Sequence, residues 1–231
     1  MIKLLISDLD DTLYDWTGFF VPAFYAMADE IARMTGIDEK KLLNEYMAAH
    51  QRLGSVEYPY ATLELPSIKA YYNNAPAEEL KAALRPAFNV FNSVRESHLH
   101  LLPGVEEMLR ALTEMGVTLI AYTESSKENG FYRLMKLGIE PYFKHVYTFE
   151  SQFKSAYAVS EKVRTVQTKK PDIAVIGRIC AGEGYDKSEV MYLGDNLTKD
   201  MYMAKMAGVT AVWMHRKCEN EDYKNKLLAI T

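Results

Sequence analysis

Three aspartates directly follow the first apolar segment of the chain. Lys3–Ser7 is rich in Leu and Ile, and Asp8, Asp10 and Asp11 come within four residues of its end. Carboxylates at this density repel one another unless a cation lies among them, and Mg²⁺ is bound by carboxylate and phosphate oxygens. The pattern predicts a cation site, although Asp-x-Asp also occurs in metal-dependent glycosyltransferases and in acidic surface loops.

A second acidic group follows the apolar run Val190–Leu193. Gly194 permits a tight turn, Asp195 projects at the end of the predicted strand, and Asp200 returns after about one helical turn. Asp195 as a helix N-cap is a sound alternative, but it explains neither the glycine nor the second aspartate.

A hydroxyl and an ammonium group complete the set of candidate residues. Thr123 follows the apolar run Val117–Tyr122, and Lys170 lies in Lys169-Lys170-Pro171-Asp172. A hydroxyl donates a hydrogen bond without adding charge, and a lysine supplies a compact cation. Taken singly, a hydroxyl at a strand end and a solvated surface lysine are the more common interpretations.

Short β-rich runs alternate with helical segments over much of the chain. The predicted strands are Lys3–Ser7, Val117–Tyr122, His145–Phe149, Val190–Leu193 and Thr210–Met214. Two segments between the strands have helical periodicity. One covers 103–115 and is stopped by Gly116, and the other covers Leu197–Ala207 and is stopped by Gly208. This alternation predicts an α/β fold with a doubly wound, Rossmann-like parallel sheet.

The alternation is interrupted between about residues 18 and 99. Phe20–Met34, Asp38–Leu53 and Pro76–Ser97 have helical patterns, and this stretch contains no convincing strand. We expect an α-helical cap domain over residues 17–100, inserted above the C-terminal edge of the sheet, and an α/β core over residues 1–16 and 101–231. Ligands bind at that edge in open α/β sheets.

The amino-acid composition indicates which kinds of binding partner to expect. The formal net charge is −4, 48% of the residues are hydrophobic, and the basic residues form no long run, so we expect no binding to a nucleic acid polymer. The chain has neither an apolar stretch of about 20 residues nor a signal peptide, so we expect no membrane association and a cytoplasmic location. Cys180 and Cys218 are expected to be buried or reduced thiols.

Together these segments resemble the haloacid dehalogenase superfamily, whose members are mostly phosphatases. Asp8-Leu9-Asp10-Asp11-Thr12-Leu13 looks like the first family motif, and Thr123, the Lys170-Pro171-Asp172 segment and Gly194–Asp200 resemble the next three, in the family's order. Glu124 departs from the pattern, because many members have an asparagine after the hydroxyl residue.

The resemblance implies a Mg²⁺-dependent phosphohydrolase for a small phosphomonoester such as a nucleotide or phosphosugar. Asp8 would be the nucleophile and form an aspartyl phosphate, and Asp10 would act as acid and then as base, with its pKa raised by burial and neighbouring carboxylates. Thr123 and Lys170 would bind the phosphoryl oxygens. The implied ligands of Mg²⁺ are Asp8, the backbone carbonyl of Asp10, Asp195 and Asp200, with Asp200 either binding through water or orienting Lys170.

Three alternatives stay open from the sequence. A 2-haloacid dehalogenase of this fold needs neither Mg²⁺ nor an acid two residues after the nucleophile, so Asp10 and the acidic pair Asp195 and Asp200 argue against it. A phosphomutase would use the same four motifs, and a non-catalytic module would not need them intact. Substrate contacts are expected from residues 14–20 and the cap, for which the aromatic candidates, with packing as the alternative role, are Trp16, Phe20, Tyr58 and Tyr60.

Overall fold

The computed structural model describes residues 1–58, 60–150, 160–215 and 220–231. The chain divides into two compact units. An α/β unit comprises Met1–Asp15 and His100–Lys217, and a helical unit comprises Trp16–Leu99 with the described part of residues 218–231. Within the described ranges, none of the helices combines the length and the apolar character needed to cross a bilayer.

The α/β unit is built on one parallel sheet of six strands in the order β4-β3-β2-β1-β5-β6. The strands are β1 (Leu4–Ser7), β2 (Thr118–Ser126), β3 (His145–Phe149), β4 (Val163–Val166), β5 (Val190–Gly194) and β6 (Thr210–Trp213). This arrangement is the doubly wound α/β fold that the alternating sequence pattern predicts.

The central position of β1 explains its continuous apolar sequence. Every residue of β1 is buried, and the strand is central, with β2 paired along one edge and β5 along the other. Ser7 is in register with Ala121 of β2 and Leu193 of β5. The chain that leaves β1 therefore emerges between the carboxyl ends of two strands that also carry candidate site residues.

Ten α-helices accompany the sheet in the described part of the chain. They are α1 (Trp16–Thr35), α2 (Glu39–Leu53), α3 (Pro66–Tyr71), α4 (Ala77–Ala83), α5 (Arg85–His98), α6 (Val105–Glu114), α7 (Lys127–Lys136), α8 (Ile173–Glu183), α9 (Tyr202–Ala207) and α10 (Glu221–Leu228). Helices α6–α9 belong to the α/β unit, and α1–α5 with α10 form the helical unit.

One face of the sheet packs against α8 and α9. Buried side chains from β1, β2 and β5 meet those of the two helices in a continuous apolar cluster. Cys180 of α8 belongs to this cluster as a buried free thiol, as expected, whereas Cys218 lies outside the described residues. Burial of such side chains fixes α8 and α9, and with them the loops that precede both helices, against the strands.

Several elements differ from the sequence-based expectation. The edge strand β4 was not predicted, because it is short and two of its four residues are exposed. Pro76–Ser97 forms two helices that meet at Leu84, since Pro86 lies in the first turn of α5, where a proline's missing N–H needs no partner. Pro66 likewise lies in the first turn of α3. In Leu197–Ala207, a π-helical turn over Leu197–Met201 precedes α9.

The last helix belongs to a different unit from the one expected. The sequence assigned residues 101–231 to the α/β part, but α10 packs against α1 in the helical unit. The Tyr25 hydroxyl donates to the Lys226 carbonyl at 3.0 Å, and His50 Nδ1 lies 2.8 Å from the Ile230 carbonyl oxygen. The helical unit is therefore built from two separate stretches of the chain.

Candidate active site

A buried lysine joins two of the predicted acidic residues. Lys170 Nζ donates to Asp8 Oδ1 in a short contact and to Asp200 Oδ1 at 2.9 Å. All three residues are buried. The ammonium also lies 4.9 Å from the ring centroid of Tyr122 and 5.6 Å from that of Tyr192, distances at which an aromatic face attracts a cation. Asp8 at the end of β1, Lys170 before α8 and Asp200 after β5 thus meet at one place.

The electrostatics of this group follow from its burial. Desolvation raises the pKa of Asp8 well above its ordinary value, and the Lys170 ammonium acts in the opposite direction. Desolvation works against the charge of Lys170, but Asp8, Tyr192 and Asp200 together outweigh it, so the pKa of Lys170 is raised. Burial and the nearby Asp200 carboxylate raise the pKa of Asp195. An added cation among the carboxylates would stabilise their ionised forms.

The acidic residues form a cluster of the size that a metal ion requires. One carboxylate oxygen each from Asp8, Asp195 and Asp200 lies within 4.8 Å of the others. Thr12 Oγ1 donates to Asp8 Oδ2 at 3.1 Å and lies 3.5 Å from Asp195 Oδ1. Hard oxygen donors at this spacing fit a divalent cation such as Mg²⁺. The side chain of Asp10 is not part of the cluster.

Gly194 has a different role from the tight turn that the sequence suggested. It is the last residue of β5, and a Cβ atom built on it would lie 2.6 Å from Cβ, Cγ and Oδ2 of Asp200. The side chain of Asp200 therefore occupies the space that any other residue at 194 would fill. Its Oδ1 also accepts a hydrogen bond from the Tyr192 hydroxyl at 2.9 Å, and its Oδ2 accepts one from the Asn196 N–H at 3.2 Å.

Asp10 lies on the β2 side of β1, where donors surround its carboxylate. Oδ1 accepts hydrogen bonds from the Tyr14 hydroxyl and from Arg133 Nη1, each at 2.8 Å. Oδ2 accepts from Ser125 Oγ at 2.8 Å and from Thr123 Oγ1 at 3.2 Å. The hydrogen-bond partners of Asp10 are thus three hydroxyls and a guanidinium group, and its charge also raises the pKa of the neighbouring Asp8 carboxyl.

The position of Thr123 depends on a glycine of α7. Its Oγ1 accepts the Ser125 N–H at 3.0 Å while donating to Asp10. A Cβ atom at Gly130 would lie 3.1 Å from Thr123 Cγ2, a close contact that would displace the threonine by a few tenths of an ångström. The absence of a side chain at Gly130 therefore fixes where the predicted phosphate-binding hydroxyl lies.

Glu124, the departure from the family pattern, pairs with a lysine that the sequence did not single out. Lys199 Nζ lies 2.5 Å from Glu124 Oε2, and both side chains are partly exposed. Glu124 lies on β2 and Lys199 follows β5, the two strands on either side of β1. Strands in a sheet are about 4.8 Å apart, so the pair spans about 10 Å across the carboxyl end of β1.

The structure brings together all six predicted site residues of the α/β unit, in two adjoining groups. Asp8, Lys170, Asp195 and Asp200 form one group, and Asp10 with Thr123 forms the other. Reasoning from the sequence missed Ser125, Arg133, Tyr192 and Lys199, and it expected a substrate contact from Tyr14, whose hydroxyl donates to Asp10. Ser125 had a usable signal, since it lies two residues after Thr123 and so on the same side of an extended strand.

The aromatic candidates for substrate contacts lie in the helical unit. The Trp16 ring stacks on Phe20 with centroids 4.8 Å apart, and its Nε1–H donates to Glu57 Oε1 at 2.6 Å. Tyr60 is 49% exposed, and its ring packs edge-on against Phe88 with centroids 5.5 Å apart. Trp16 and Phe20 therefore contribute to packing within their own unit, while Tyr60 retains an exposed face.

One class of hydrolases is defined by a parallel α/β unit with a particular set of side chains. These are acids after β1 and β5, a hydroxyl on β2 and a buried lysine. Comparison with known families agrees, because the model of the haloacid dehalogenase-like hydrolases matches residues 5–214. The chain belongs to this family. The matched residues cover almost the whole α/β unit and the helical segment inserted between β1 and β2.

Similar proteins of assigned function are phosphatases. A glyceraldehyde 3-phosphate phosphatase of Pyrococcus abyssi is 27% identical over 224 residues, with 92% of this chain and 81% of the relative covered. A phosphoserine phosphatase of Thermus thermophilus is 24% identical, with 96% and 92% covered. These relatives support the prediction that this family member is a phosphatase.

Solved structures share the fold. A 2-haloacid dehalogenase of Pseudomonas syringae pv. tomato has a TM-score of 0.63 at 23% identity, covering 96% of this chain and 91% of its own. A family hydrolase of Geobacter sulfurreducens has a TM-score of 0.54 at 20% identity, covering 92% and 86%. At these identities the likeness concerns the fold and not the chemistry.

Proposed function

We propose that this protein is a Mg²⁺-dependent phosphohydrolase that cleaves a small phosphomonoester through an aspartyl-phosphate intermediate on Asp8. The observation that carries the proposal is the contact of Lys170 with both Asp8 and Asp200, within an acidic cluster completed by Asp195. Relatives that act as phosphatases on small phosphorylated metabolites support the same class of substrate.

Asp8 is the proposed nucleophile because its carboxylate belongs to the acidic cluster and also contacts the Lys170 ammonium. One oxygen is paired with Lys170, and the other accepts a hydrogen bond from Thr12. Attack of a carboxylate oxygen on phosphorus forms the Asp8–phosphate bond as the bond to the leaving alcohol oxygen breaks. Water then hydrolyses the acyl phosphate and releases inorganic phosphate.

Asp8, Asp195 and Asp200 would hold the magnesium ion, together with the Asp10 carbonyl that the family resemblance implies. Mg²⁺ supplies positive charge that neutralises phosphoryl oxygens and fixes their position. Lys170 and the Thr123 hydroxyl would bind the remaining phosphoryl oxygens, where negative charge persists throughout transfer. Each such donor is typically worth about 3 kcal/mol of transition-state stabilisation.

Asp10 is the proposed general acid and base, with contacts that suit a proton carrier held in one orientation. It lies two residues beyond the nucleophile, and its carboxylate is oriented by donors from β2 and α7. In the first step its proton would pass to the leaving oxygen. In the second step the carboxylate would take a proton from the attacking water.

The proposal is tested by phosphate release across a panel of phosphorylated metabolites that includes glyceraldehyde 3-phosphate and phosphoserine. We expect turnover with MgCl₂, its loss in excess EDTA, and its return when Mg²⁺ is restored. Asp8→Asn should lower kcat by at least about 1000-fold while the protein stays folded, because it removes the nucleophile.

A matched control is Asp38→Asn, because Asp38 caps α2 through the Lys41 N–H and asparagine caps helices equally well. This variant should retain wild-type turnover. Full activity of Asp8→Asn would contradict the nucleophile assignment, and activity that survives chelation would contradict the dependence on a metal. Halide release from a 2-haloacid without Mg²⁺ would instead indicate the dehalogenase alternative.

A further inference from the structure

The carboxylate of Asp10 accepts hydrogen bonds at both of its oxygens, at Oδ1 from Tyr14 and Arg133 and at Oδ2 from Ser125 and Thr123. The Thr123 hydroxyl is the group assigned above to a phosphoryl oxygen, so its turning to bound substrate would leave a position on Oδ2 for the proton that Asp10 carries. Contacts to a single oxygen would leave the carboxylate free to rotate about its terminal bond. Contacts to both oxygens from different elements fix the carboxylate plane as well as its position.

We propose that Arg133, acting with Ser125, is a positioning residue that sets the orientation of Asp10 for proton transfer. The inference rests on the proposed function, in which Asp10 is the acid and base. Arg133 Nη1 contacts Asp10 Oδ1 at 2.8 Å and Ser125 Oγ at 3.0 Å, and the same serine hydroxyl donates to Asp10 Oδ2 at 2.8 Å. The three side chains therefore form a closed triangle of contacts.

Arg133 and Ser125 approach Asp10 from two different elements. Arg133 is 4% exposed and reaches Asp10 from α7, whereas Ser125 reaches it from β2. A guanidinium group suits this role because its planar set of donors has fixed directions, which a lysine ammonium lacks. The resulting contacts orient a residue two positions from the nucleophile.

The chemical consequence depends on the leaving group. Asp10 passes its proton to the leaving oxygen as the phosphorus–oxygen bond breaks, so a misplaced Asp10 slows this step most when the leaving group is a poor one. An alkoxide needs the proton, whereas p-nitrophenolate leaves without it. Loss of Arg133 should therefore lower kcat for alkyl phosphates much more than for p-nitrophenyl phosphate, with little change in KM.

The test uses full-length Arg133→Ala and Arg133→Lys enzyme with Mg²⁺, the best alkyl phosphate of the panel, and p-nitrophenyl phosphate. We expect kcat of Arg133→Ala to fall about 100-fold on the alkyl ester and less than about tenfold on the aryl ester. Added guanidinium chloride should partly restore Arg133→Ala, and Arg133→Lys should retain intermediate activity. Arg33→Met is the control, because it removes an exposed arginine paired with Glu30 at 2.6 Å.

The possible outcomes separate the two proposals. Wild-type enzyme without phosphatase turnover would overturn the proposed function. An active wild type with unchanged kcat in Arg133→Ala, or with equal losses on both esters and no rescue, would overturn the positioning role. If Arg133→Ala does not fold, Ser125→Ala provides the same leaving-group test.

A second readout does not require turnover. In a crystal structure of Arg133→Ala, or of Ser125→Ala if the first variant is unstable, we expect the Asp10 carboxylate to be rotated or to adopt more than one conformation. An unchanged carboxylate would overturn the positioning role.

Discussion

Replacing Gly194 by alanine tests how the end of β5 accommodates Asp200. The added Cβ would lie 2.6 Å from three atoms of Asp200, one of them the Asp200 Cβ, so rotation of the side chain alone cannot relieve the contact. Either β5 or the turn that carries Asp200 must move. Such a movement would disturb the Asp200 contacts with Lys170 and Tyr192, both at 2.9 Å.

The expected loss of stability in Gly194→Ala combines two effects. Overpacking of a buried site costs about 1–3 kcal/mol, and removing one partner of a buried ion pair costs about 3–5 kcal/mol. Because Lys170 keeps its contact with Asp8 and the backbone can relax, we expect the free energy of unfolding to fall by about 3 kcal/mol. With a urea m-value of about 2 kcal/mol/M, the unfolding midpoint should shift by about 1.5 M.

The assay is urea unfolding together with Mg²⁺-dependent phosphate release. Gly177→Ala is the matched control, because Gly177 lies inside α8 and its Cβ would meet nothing within 4 Å. Alanine in a helix interior should raise stability by about 0.5–1 kcal/mol and leave turnover unchanged. Gly194→Ala should in addition lower kcat, since Lys170 loses its second carboxylate partner.

A Gly194→Ala protein with wild-type stability and wild-type kcat would refute this reasoning. That result would mean that the turn after β5 moves without cost, and that Asp200 does not need its present position to hold Lys170. Lower stability with unchanged kcat would retain the packing argument and refute the role of Asp200 in orienting the lysine.

Two further predictions concern a surface ion pair and a buried histidine. Lys199→Met should raise KM for the phosphate ester, because it leaves the Glu124 charge uncompensated near the end of β1. Adding Glu124→Gln should reverse this rise in KM, and additive effects in the double variant would contradict the coupling. Burial lowers the pKa of His50, so the unfolded chain binds the proton first and stability should fall as the pH decreases through about 6.5. His50→Gln should flatten this dependence in urea unfolding between about pH 7.5 and 5.5, and an unchanged slope would contradict it.

The sequence by itself determined the fold class and most of the acidic site. A strand buried on both faces has a continuous apolar sequence, so β1 and β5 are recognisable, and the polar residues that follow them must lie at the carboxyl edge of a parallel sheet. Asp8, Asp195 and Asp200 could therefore be grouped without coordinates. The edge strand β4 lacks this signal, because two of its four residues are exposed.

Only the tertiary structure decided which side chains surround Asp10 and why residue 194 is a glycine. Arg133 lies on a helix more than a hundred residues from Asp10, and no local pattern states which buried carboxylate a distant arginine will meet. Gly194 resembles a turn residue in the sequence, but the space that it leaves is filled by Asp200. Contacts of this kind depend on how elements pack in three dimensions, whereas strand and helix periodicity depends only on neighbours along the chain.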